Sequence, residues 1–198
     1  MVDELRIEEE QELLKRIAHL TERGKIKWEC VVYNPLCFMN EDKVEDSSAY
    51  LSQMFTLTTK IEGIPYELDI AEYITIPDGK GDISLTLSKN TADDFIKIDT
   101  SLSFDEAYDE LLPEEIANAY KGNPVMRLTA AVIPQVSDSE TVKEAFKWAR
   151  FINEINISDE LLNNPITLLA EKLFNDQRVL DYHKILFDIS YRNAISAE

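Results

Sequence analysis

The sequence predicts an α+β fold, with an N-terminal helix, an antiparallel sheet of four to five strands over residues 27–99, and a helical C-terminal half over 103–194. Three observations carry this. Apolar residues recur at helical spacing near the start, alternate one-on, one-off through the middle, and return to helical spacing after Ser101. The alternating runs are joined by short turn signals, which connect antiparallel neighbours and are too short for parallel crossovers. Hydrophobic residues make up 44% of the 198, enough to build a core.

Residues 3–23 read as an amphipathic helix in which Leu5, Leu13, Leu14, Ile17 and Leu20 lie mainly three or four apart, with Glu8, Glu9 and Glu10 opposite. Glu12 and Arg16 form an i,i+4 pair, acids gather near the start, and Arg23 and Lys25 lie near the end, as the macrodipole favours. Gly24 is the expected stop. A strand follows over 27–33 and is expected to end at Asn34-Pro35. Strands are then predicted at 50–61, 66–76, 83–88 and 95–98, with turns at Glu62-Gly63 and at Pro77-Asp78-Gly79-Lys80-Gly81.

In the second half Ser103 is the expected N-cap of a helix, with Glu106 in capping-box register. Pro113 separates it from a helix over 114–121 that Gly122 closes. The run 124–134 suits a short buried helix opened by Pro124, and a strand over 125–133 is the alternative. Ser137 is expected to cap a helix over 139–153, Asn164-Pro165 to open one reaching Phe174, and 177–194 to form the last. The order suits a single domain over 1–198, divisible at most into a helix-plus-sheet module (1–100) and a helical module (101–198).

Charge is the strongest global signal. The net charge is −18, of which −14 falls in residues 28–122, against −1 before and −3 after. Such a field repels nucleic acid and anionic membranes and attracts basic proteins, although acidic surfaces also serve solubility alone. The densest run is Asp105, Glu106, Asp109, Glu110, Glu114 and Glu115. Its i,i+4 like-charge pairs, Asp105–Asp109 and Glu106–Glu110, suit either a solvated helix face or a surface for a basic partner. These six residues are the candidate partner-binding site.

Chemistry-bearing patterns do not emerge. His19 and His183 each lie on a predicted amphipathic helix and read as surface or half-buried structural residues. There is no Gly-x-Ser-x-Gly elbow. With only five glycines, Gly79-Lys80-Gly81 reads as a hairpin tip, since Asp78 and Asp82 flanking it repel phosphate. Asp78 with Lys80 imitates a restriction-type nuclease motif in miniature, and Asp94-Phe95-Ile96-Lys97 has the wrong spacing. Cys30 and Cys37 read as ordinary thiols of a reducing compartment, with a hairpin bridge as the alternative. No calcium loop or zinc spacing is present, so no catalytic residue, cofactor or metal is assigned.

Val2-Asp3-Glu4 and the residues after it form no apolar signal segment, and no run is long enough for a membrane span, so a cytoplasmic location is expected. The opening over residues 3–33, a charged helix followed by Gly24-Lys25-Ile26-Lys27-Trp28-Glu29, resembles small uncharacterised proteins of Gram-positive bacteria and their phages. The resemblance implies a helix packed on an antiparallel sheet, in a bacterial or mobile-element protein, and brings no activity with it. The expected function is therefore a non-enzymatic module that engages a basic protein and neither nucleic acid nor membrane. A homo-oligomeric structural subunit and a carboxylate- or metal-dependent enzyme are the alternatives.

Overall fold

The computed structural model describes residues 2–40, 49–77, 79–91, 94–104, 122–152 and 157–185. Helix α1 (Val2–Glu22) precedes five strands: β1 (Glu29–Asn40), β2 (Ala49–Ile61), β3 (Ile64–Ile76), β4 (Gly81–Thr91) and β5 (Asp94–Phe104). The strands pair in sequence order as an antiparallel meander, so β1 and β5 are the edges. Helices α2 (Pro124–Val136), α3 (Glu140–Trp148), α4 (Asp159–Leu162), α5 (Pro165–Asn175) and α6 (Val179–Ile185) follow. The fold is the predicted α+β arrangement, and no described helix is long and apolar enough to cross a membrane.

Local chemistry explains the ends of the elements. Gly24 takes φ +66°, the left-handed conformation that closes α1, and its N–H donates to Thr21 O at 2.9 Å. At the β3–β4 hairpin, Gly79 sits at φ +70° and donates to Thr75 O, while Thr75 N–H donates to Lys80 O, both at 2.8 Å. Asn123 caps α2 by accepting from Val125 N–H at 2.9 Å, with Pro124 in the first turn, so the 124–134 segment is helix. Asn164 caps α5 in the same way, as expected.

Several boundaries differ from expectation, each for a physical reason. Strand β1 does not end at Asn34-Pro35 but continues to Asn40, with register shifts between Cys30 and Val32 and between Asn34 and Cys37. A proline is tolerated there because β1 is an edge strand and the shift relieves the ladder of one donor. Ser103 is not a helix cap; it lies in β5 opposite Asp82, because the alternation of Ile98, Thr100 and Leu102 with Asp99 and Ser101 continues past Ile98. Ser139, rather than Ser137, caps α3 by accepting from Val142 N–H at 3.3 Å, and Ser137 instead ends α2. Helix α3 stops at Trp148, short of residue 153. Gln177, at φ +55°, belongs to the turn after α5, so the last helix begins at Val179. The helix expected at 114–121 lies outside the described residues, as does the last helix beyond Ile185.

The described helices gather on one face of the sheet. Helix α1 packs on α2, α2 on β4, β5 and α6, and α3 and α5 on β1. The core holds Leu14, Ile17 and Ala18 of α1, Leu51, Phe55 and Leu57 of β2, and Leu68, Ile70, Ile74 and Ile76 of β3. It continues through Ile83, Leu85 and Leu87 of β4, Leu128, Val132 and Ile133 of α2, and Leu169, Ala170 and Leu173 of α5. Gln135 of α2 ties the α1–β1 connection to this layer. Its Oε1 accepts from Trp28 N–H at 3.0 Å and its Nε2 donates to Ile26 O at 3.2 Å.

Candidate functional site

The two faces of the sheet carry different chemistry. On the helix-covered face, two polar residues interrupt the apolar alternation. Gln53 stands between Leu51 and Phe55 on β2, and Glu72 between Ile70 and Ile74 on β3, directly opposite each other in register. Glu72 is 0% exposed. A buried carboxylate is costly unless its oxygens are hydrogen-bonded, and both are. Gln53 Nε2 donates to Oε2 at 2.7 Å, and His183 Nδ1 of α6 bonds Oε1. Tyr33 O–H of β1 donates to Gln53 Oε1 at 2.9 Å, which orients the amide so that its NH₂ faces Glu72.

This chain runs from β1 through β2 and β3 to α6. Beside it, Tyr182 O–H donates to Leu51 O at 2.7 Å, so two consecutive residues of α6 fasten the helix to the sheet by polar bonds. Val179 and Ile185 add apolar burial. Around Tyr33, the Phe55 and Phe146 rings lie with centroids at 4.7 and 5.7 Å. His183 is thus buried and paired, not on the surface or half-buried as its position in the sequence suggests. A Glu–His couple is a familiar acid–base pair; here it joins α6 to β3, with both side chains buried.

The open face presents hydroxyls and carboxylates in rows. One row reads Val32, Thr56, Asp69, Thr86, Asp99 across the five strands. Thr56 O–H donates to Asp69 Oδ1 and Thr86 O–H to Asp99 Oδ1, both at 2.7 Å, so two strand pairs are each bridged by a Thr–Asp bond. Asp99 also pairs with Lys97 at 3.2 Å. The Thr86 hydrogen bond, then that of Lys97, holds the Asp99 carboxyl below its ordinary range. The next row is Glu29, Thr58, Glu67, Ser88, Lys97, and on the far side Ser52, Tyr73 and Asp82 stand together. Burial, then the neighbouring Asp82, raises the Tyr73 phenol. Among described side chains this face carries Glu29, Glu67, Asp69, Asp82 and Asp99 against Lys60 and Lys97.

The six acids from Asp105 to Glu115 lie outside the described residues. His19 is exposed on α1. Cys30 is a free, buried thiol whose pKa burial pushes up to about 11, which leaves it unreactive as a nucleophile. Cys30 and Cys37 lie seven residues apart along the same strand, about 20 Å by strand rise, far beyond the ~7 Å Cα limit for a disulfide, so no bridge joins them. Among the described residues no group of three or more His, Cys, Asp or Glu side chains is placed to hold a metal ion.

Sequence reasoning overlooked the buried chain. Its signal was present, because Gln53 and Glu72 fall on the apolar phase of their strands, where a charged or amide residue demands a partner. Comparison of the chain with protein-family models, with curated proteins and with solved structures finds no match in any of the three.

Proposed function

We propose that this protein is a non-enzymatic binding module whose acidic sheet region engages a basic protein partner. The observation that supports this reading is the asymmetry of the sheet. One face is occupied by the protein's own helices, while the other displays five carboxylates against two lysines among described side chains. This face lies within the 28–122 segment that carries −14 of the net charge. Rigid strands present its carboxylates in fixed rows, and two of them are oriented by threonine hydroxyls. Pre-oriented charge of one sign speeds encounter with an oppositely charged partner and disfavours partners of like charge. The acidic run Asp105–Glu115 belongs to the same segment of the sequence.

The test is capture from cell lysate on the immobilised protein, washed across a salt series and read by mass spectrometry. A basic protein retained at low salt and released steeply as ionic strength rises is the expected result. Reversing Glu29, Glu67 and Asp99 to lysine together should abolish its capture, and reversing Asp105, Glu106, Asp109 and Glu110 should weaken it. Capture that ignores salt, or that survives the triple reversal, overturns the reading.

A self-associating subunit is the second reading. It is favoured by Val31 and Val32, 44% and 48% exposed on edge strand β1, and by Met54, 46% exposed on neighbouring β2. An apolar edge strand is a template for pairing with another strand. Sedimentation at micromolar concentration decides it, since a strict monomer removes this alternative.

A further inference from the structure

We draw no further inference here: the strongest candidate, the apolar surface at the C-terminal end of α3, where Trp148 is 84% exposed and exposed Ile152 follows four residues on, carries nothing because nothing in the structure shows what covers it.

Discussion

On β4, Leu85 and Thr86 are neighbours in sequence and opposites in surroundings. Leu85 is fully buried beneath the helices, while the Thr86 hydroxyl reaches across the open face to Asp99. The same contrast repeats on β3, where Glu72 is sealed in the core and Asp69, three residues earlier, lies on the open face. Both carboxylates are hydrogen-bonded, yet they answer different demands. Glu72 has no water to fall back on, so each of its bonds is required by burial. Asp69 keeps its access to solvent, so its threonine orients it without being needed to make it tolerable. A polar group on the covered face specifies the structure, whereas on the open face it is at the disposal of a partner.

The comparison breaks most sharply at Glu72. Replacing it with alanine should cost about 3–5 kcal/mol, because His183 and Gln53 are left facing an apolar void. Denaturant unfolding measures this. The double variant with His183→Ala should cost less than the two single losses combined, which is the signature of a coupled pair. Additive losses would mean that the two residues act independently.

Leu85→Ala should cost about 2–5 kcal/mol through the cavity it leaves. Its neighbour tested by Thr86→Val, which keeps the shape and removes the hydroxyl, should cost only about 0.5–1.5 kcal/mol. Equal losses would show that the open face is as tightly packed as the core.

A smaller effect belongs to the Glu22–Arg127 pair, which joins α1 to α2 through two hydrogen bonds at 2.8 and 3.0 Å. The Arg127 hydrogen bond holds the Glu22 carboxyl below its ordinary value of 4.5. A lowered folded-state value means stability that is fully present above 4.5 and is lost as pH falls through the folded value. Both side chains are partly exposed, so solvent screening keeps the contribution under about 1 kcal/mol. The stability difference between wild type and Glu22→Gln should therefore be constant near neutral pH and shrink on acidification below 4.5. A difference that is flat through the acid range would remove the pair from the account.

Smallest of all should be the charge reversals on the open face. Glu29→Lys with Glu67→Lys should shift stability by no more than about 0.5 kcal/mol per site, even as partner capture falls. A large destabilisation would mean that these acids serve the fold, and the open face would no longer be a surface kept for binding.

Alternation was enough to read the sheet, because a pleated strand with one covered face must place every second residue inward. The runs Leu68–Ile70 and Ile83–Leu87 therefore disclosed their buried side from sequence. The N-terminal helix, its glycine stop and the Pro77–Gly81 hairpin were legible for the same reason, since each depends on residues adjacent in the chain. Strand ends were not. Whether Pro35 stops β1 depends on β1 being an edge strand, and whether Ser103 caps a helix depends on β4 offering it a partner. Neither fact is local.

The acidic middle was likewise plain from composition, but composition assigns no face to a charge. Strand pairing placed Glu29, Glu67, Asp69, Asp82 and Asp99 together on the open side, and it placed Glu72 on the covered one. The partner that makes Glu72 tolerable, His183, is 111 residues distant in the chain. Periodicity sees only a few residues either way, so it reports that a polar group falls on an apolar phase and cannot say what satisfies it. Local chemistry thus chose the helices, the strands and their buried phases; packing between distant segments chose the edges, the buried polar chain and the face left open.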